Sequence, residues 1–188
     1  MTNDFDLTKD VYYMSLAKQV ETGANCKGSS VGAVVVLENR VVSTGYNGTP
    51  DGFRNCKEGG CVRCNDSQLK KDGHPELMTD QGHTSGKALD MCICVHAEQN
   101  AFLSAARTGV VLQGGILYTT LSPCFSCLKE SLQIGIQRIV YLEKYHPYEN
   151  EQLEKQYQEL VGHLSNEERK PSTFMKFEGA LMVWSEGK

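Results

Sequence analysis

VHAEQNAFLSAA (residues 95–106) and ILYTTLSPCFSC (residues 116–127) together decide how this chain folds. In the first stretch Ala97, Ala101, Phe102, Ala105 and Ala106 recur at helical spacing, an apolar stripe that ends before Gly109. In the second, Ile116 to Thr120 reads as a short strand and Ser122-Pro123 as a helix start. Serine caps a helix well, and proline suits the first helical position, where no backbone donor is missed. That helix is expected to run to about Gln133 and to stop at Gly135. Outward from this centre, Tyr12, Tyr13, Leu16, Ala17 and Val20 predict a helix over about 7–21. VGAVVVLENRVVSTGY then gives two β-branched runs separated by Glu38, Asn39 and Arg40, a hairpin. QRIVYLE reads as a further strand, and Leu153, Tyr157, Leu160 and Val161 as a later helix. Strands alternating with helices predict a three-layer α/β/α sandwich with the sheet in the middle.

Both central helices open on residues that bind metals. Cys124 and Cys127 are three apart, so they share a helix face within the first turn and a half, where the positive end of the helix dipole favours thiolate. His96 stands at the start of the other helix. Two thiolates and a neutral imidazole fill three tetrahedral positions and leave the fourth open, the pattern of a catalytic rather than a structural zinc. Glu98 is too close to His96 to be an equally well directed ligand, but it can face the open position and move protons as a general base and then acid. A histidine, a glutamate two residues on and a later Pro-Cys-x-x-Cys are similar to the signature of the zinc deaminases of nucleobases.

Composition agrees with that chemistry. The 188 residues are 40% hydrophobic, enough for one compact domain spanning 1–188, with a Cys-rich insertion at about 50–94. Nineteen basic against twenty-three acidic side chains leave a net charge of −4, which favours a small-molecule substrate over nucleic acid. MTNDFDLTKD lacks the features of a signal peptide, and no stretch approaches the roughly 20 apolar residues that span a bilayer. A cytoplasmic protein is therefore expected, without a membrane partner, and its eight cysteines read as metal ligands before disulfides.

The sequence resembles the deoxycytidylate deaminase family of the cytidine deaminase-like fold. VGAVVV, STGYNGTPDG, CVHAEQNA, LYTTLSPCFSC and GIQRIVY occur in the family's order, over roughly residues 26–142. The resemblance implies a central five-stranded mixed sheet, hydrolysis of dCMP to dUMP and ammonia, and a homo-oligomer, often a hexamer. It also implies activation by dCTP with Mg2+ and inhibition by dTTP. In GYNG, Asn47 matches the asparagine that reaches the sugar in this fold, and Gly45 and Gly48 would let the backbone approach a nucleotide. One departure stands out: many family members carry Arg-Ser where this chain has Gly23 and Ala24. A phosphate would then need another cation, with Lys27, Arg54 and Lys129 as candidates. The alternatives are a deaminase of another cytosine nucleoside, nucleotide or nucleobase, and a non-catalytic nucleotide-binding regulator; the retained Glu98 argues against the latter.

Six further cysteines, Cys26, Cys56, Cys61, Cys64, Cys92 and Cys94, flank or lie within a stretch over 47–92 that is too long and unpatterned for an ordinary loop. A metal cross-link would order it, so at least one structural zinc is expected beside the catalytic one. The resemblance points most directly to Cys26, Cys56 and Cys94, with the fourth ligand from Cys61, Cys64 or Cys92. His74 and His83 are candidates for a further site, and Tyr141, Tyr145 and Tyr148 for base stacking or a subunit contact.

Overall fold

The computed structural model describes residues 7–78, 92–144, 150–164 and 174–177; His83, Tyr145 and Tyr148 lie outside them. The elements are α1 (Leu7–Glu21), β1 (Gly32–Leu37), β2 (Arg40–Tyr46), α2 (Val62–Lys71), α3 (Ala97–Arg107), β3 (Ile116–Leu121), α4 (Phe125–Gln133), β4 (Arg138–Glu143), α5 (Glu151–Leu164) and β5 (Phe174–Lys176). They form an α/β fold around one mixed sheet of five strands in the order β2-β1-β3-β4-β5. β1 pairs antiparallel with β2 and β3, whereas β3, β4 and β5 run parallel. The β1–β2 turn is shorter than the sequence suggests. Arg40 already belongs to β2, and Glu38 and Asn39 make the reversal alone, both at positive φ (49° and 60°), as a two-residue hairpin turn requires.

Why β1 is an unbroken apolar run follows from the sheet's two covered faces. Val34 and Val36 point to one side, where Tyr13, Met14 and Ala17 of α1 pack with Tyr118 and Val140. Ala33 and Val35 point to the other, against Ala97, Ala101 and Phe102 of α3, Leu128 of α4 and Tyr157 and Leu164 of α5. The helix α3 comes so close to the sheet that a Cβ on Gly45 would stand 2.3 Å from the Ala97 carbonyl oxygen and 2.4 Å from the Ala101 nitrogen.

One polar group is sealed into the α1 face. Arg138 on β4 holds the Asp10 carboxylate of α1 with both guanidinium ends, at 2.8 and 2.5 Å, and the Tyr118 hydroxyl donates to the same carboxylate at 2.6 Å. Both charged partners are buried, so removing one strands the other. Asp10→Ala is expected to lower unfolding free energy by roughly 3–5 kcal/mol in denaturant titration; a change under about 1 kcal/mol would show the pair to be inert.

The main departures from expectation are local. The irregular stretch contains a ten-residue helix, α2, and a short 3-10 turn at each side of it, Cys56–Glu58 and Pro75–Leu77. The helix after Pro123 begins at Phe125, with Cys124 rather than Ser122 at its N-cap. Among the described residues no helix is long and apolar enough to cross a membrane.

Candidate active site

His96 caps α3, and Cys124 caps α4 with Cys127 in the third helical position. These are places where the backbone donors of a helix start are unsatisfied, so a thiolate there would sit in a positive field. The two helix starts meet. His96 Nδ1 lies 3.4 Å from Cys124 Sγ and 3.4 Å from Cys127 Sγ. A tetrahedral zinc with bonds of about 2.0 Å to nitrogen and 2.3 Å to sulfur would place those atoms about 3.5 Å apart. The donor set thus fits one such ion, with imidazole binding through Nδ1.

Electrostatics favour a dication at the same point. The neighbouring Cys127 and the His96 ring hold the Cys124 thiol down at about 4, while Cys124 raises the His96 ring to about 9. Cys127 is pushed up by Cys124 and by burial. Glu98, two residues into α3 and 4% exposed, is raised to about 7, first by burial and then by the Cys124 charge. Cys124, Cys127 and the buried Glu98 carboxyl crowd one point as potential anions, and a metal ion would relieve the repulsion among them.

Residues that sequence reading missed fix this geometry. Gln99 accepts from the His96 backbone N–H at 3.1 Å and donates to Glu130 of α4 at 2.9 Å, so one side chain ties the two ligand-bearing helices. Tyr157 of α5 donates to the Pro123 carbonyl at 2.8 Å, and Ser122 N–H donates to the Glu143 carbonyl at 2.8 Å, which locks the turn leading to Cys124. A glutamine at the third position of a helix opened by a ligand was the available signal.

His96, Glu98 and Cys124 line a cavity, and Asn47 lines it too. Asn47 Oδ1 accepts from Val31 N–H at 2.8 Å and its Nδ2 donates to the Ser29 carbonyl at 2.7 Å. The side chain shapes the 29–31 wall and keeps one lone pair and one hydrogen for other use. Gly45 and Gly48 are not among the lining residues. Gly45 admits α3, and Gly48 exchanges two backbone hydrogen bonds with Val95, the residue before His96. None of Lys27, Arg54 and Lys129 lines the cavity: Lys27 donates to Asn65, Arg54 to the Gly59 carbonyl, and Lys129 lies over the Phe125 ring. The cations that do line it are Arg63 and Lys71, with Ser67 between them, on one face of α2. The Ser67 hydroxyl is buried without a hydrogen-bond partner among the described residues, and Lys71 donates to the Gly28 carbonyl at 2.8 Å. The other six cysteines pack against one another in groups separate from His96, Cys124 and Cys127, and Cys26, Cys92 and Cys94 among them also line the cavity. His74 is exposed and faces Glu76, outside all three candidate metal-binding groups.

Such a fold with a His/Cys/Cys centre beside a buried glutamate defines the class of zinc-binding deaminases. A family described as the cytidine and deoxycytidylate deaminase zinc-binding region matches residues 7–143. A deoxycytidylate deaminase of Schizosaccharomyces pombe is 41% identical over 144 residues, 77% of this chain but 40% of its own length. One of Mycobacterium phage D29 is 36% identical over 132 residues, 70% of this chain and 92% of its own. The crystal structure of the dCMP deaminase of cyanophage S-TIM5 with dCMP and dUMP superposes with a TM-score of 0.59 at 25% identity, covering 94% of this chain and 98% of that one. The chain belongs to the dCMP deaminase family within the cytidine and deoxycytidylate deaminase superfamily. It spans about two fifths of the length of the fission yeast relative.

Proposed function

We propose that this chain is a single deaminase domain, with its Cys-rich insertion at about 50–94, that hydrolyses dCMP to dUMP and ammonia. The observation that carries the reading is the meeting of His96, Cys124 and Cys127 beside buried Glu98, at a cavity that Arg63 and Lys71 also line. A zinc ion held by the first three would supply the Lewis acidity that lowers the pKa of water towards neutrality. Glu98 moves the protons. Its carboxylate takes one from the attacking water and gives it to the ring nitrogen of cytosine, then takes the second from the hydroxyl so added and gives it to the amino group, which departs as ammonia. Burial, which raises Glu98 to about 7, suits a group that must both accept and release a proton near neutral pH. Asn47 uses its remaining hydrogen and lone pair on a sugar hydroxyl.

The α2 face answers the missing arginine at position 23. Arg63, Ser67 and Lys71 would receive the 5′-phosphate, the two cations as charge-assisted donors and the Ser67 hydroxyl as a third. Support for a monophosphate comes from the cyanophage relative, whose structure holds dCMP and dUMP. On the family resemblance, the proposal extends to a homo-oligomer and to dCTP and dTTP as effectors.

Ammonia release from dCMP, CMP, deoxycytidine and guanine tests the reading: dCMP should be preferred, and dCMP no better than deoxycytidine would overturn it. Replacing Arg63 and Lys71 by Ala should cut kcat/KM for dCMP roughly 10- to 100-fold per cation, the value of a hydrogen bond to a charged group. Activity on deoxycytidine should stay unchanged. An equal loss on both substrates would remove α2 from phosphate reading.

A further inference from the structure

The six cysteines outside the active site fall into two overlapping groups of four. Cys26, Cys56, Cys64 and Cys94 form one, and Cys61, Cys64, Cys92 and Cys94 the other, the sulfurs within each group all lying within 4.8 Å of one another. Cys64 and Cys94 belong to both. We propose that these residues hold a binuclear zinc–thiolate cluster, in which Cys64 and Cys94 bridge two ions and Cys26 with Cys56, and Cys61 with Cys92, complete them. The sequence led to an expectation of at least one structural zinc; the proposal goes further by fixing two ions and the sulfurs that bridge them, and it does not depend on the deaminase reading.

Spacing is the first argument. A Zn–S bond of about 2.3 Å sets the edge of a sulfur tetrahedron at about 3.8 Å. The Sγ separations are 3.5 Å for Cys26–Cys64, 3.5 Å for Cys64–Cys92, 3.8 Å for Cys61–Cys92 and 3.9 Å for Cys64–Cys94. The last is the edge that the two tetrahedra would share. A disulfide needs its sulfurs at about 2.05 Å, and none of the six is paired in that way.

Counting ligands gives the second argument. One tetrahedral ion uses four sulfurs and strands two, whereas two ions with two bridging sulfurs use all six. Five of the six residues are buried and Cys92 is half-buried, so a stranded thiol would be enclosed without a ligand's role. The surroundings suit the negative charge left when six thiolates hold two dications. Lys27 N–H donates to Cys56 Sγ at 3.3 Å and Gly28 N–H to Cys26 Sγ at 3.4 Å, hydrogen bonds that orient metal-bound sulfur. Three stretches far apart in sequence meet here: Cys26 after α1, the run from the 3-10 turn at Cys56 to the start of α2, and Cys92 and Cys94 ahead of His96. Among the described residues this cluster has little other apolar packing, so metal would be what fastens α2, with Arg63 and Lys71, to the cavity wall.

Zinc counting by native mass spectrometry tests the proposal on the purified full chain and on the double variant His96→Ala/Cys124→Ala. Three ions in the parent and two in the variant are expected. Two in the parent and one in the variant would overturn the binuclear cluster and leave the active-site metal standing. Two and two would do the reverse. Replacement of zinc by an NMR-active cadmium isotope supplies a readout of the bridge: two thiolate-bound signals that split each other are expected, and two without mutual splitting would overturn it.

Discussion

Glu98→Gln should lower kcat for dCMP by at least about a thousandfold while the zinc content stays at the parent value. The amide keeps the size of the carboxylate and its place at the start of α3, but it can neither take a proton from water nor return one to the departing amine. Two separate transfers fail together, so the loss should reach the upper part of the range for one acid–base group. Zinc should stay because the proposed donors are His96, Cys124 and Cys127, and Glu98 is not in that group. Because the carboxyl is buried beside a thiolate, removing its charge should, if anything, stabilise the fold, and the thermal midpoint should hold or rise. Turnover within tenfold of the parent would take Glu98 out of the mechanism.

Removal of the metal should cost more. His96→Ala/Cys124→Ala takes two of three donors, and zinc lowers the pKa of water from 15.7 to about 7, so turnover at neutral pH should fall below detection. The fold should survive, since neither sheet face is built on the ligands: α1 packs through Tyr13, Met14 and Ala17, and α3 through Ala97, Ala101 and Phe102. Far-ultraviolet circular dichroism should match the parent while one zinc per chain is lost. A variant that keeps its zinc, or that deaminates dCMP, would contradict the assignment of these ligands.

What was legible in the sequence was whatever followed a simple period. β1 reads as a buried strand because both of its faces are apolar, and α3 because five of its positions repeat at helical spacing. The approach of His96 to Cys124 and Cys127 could be anticipated because each opens a helix. α2 could not. Its buried side is Cys64, Asp66 and Ser67, small or polar residues that leave no apolar stripe, and its placement depends on thiols far away in sequence. Arg63 and Lys71 were therefore invisible as cavity residues, since their common face exists only once α2 is known to be a helix. β5, three residues long, is too short to show alternation. Ser122-Pro123 signalled a helix two residues early because the capping position went to Cys124, where the positive end of the helix favours a thiolate.

The most direct measurement is anomalous diffraction from crystals of the purified chain on either side of the zinc absorption edge. A peak bonded to His96 Nδ1, Cys124 Sγ and Cys127 Sγ, with Glu98 facing its open side, is the expected result. Zinc elsewhere in the crystal with no peak among these three side chains would contradict the account.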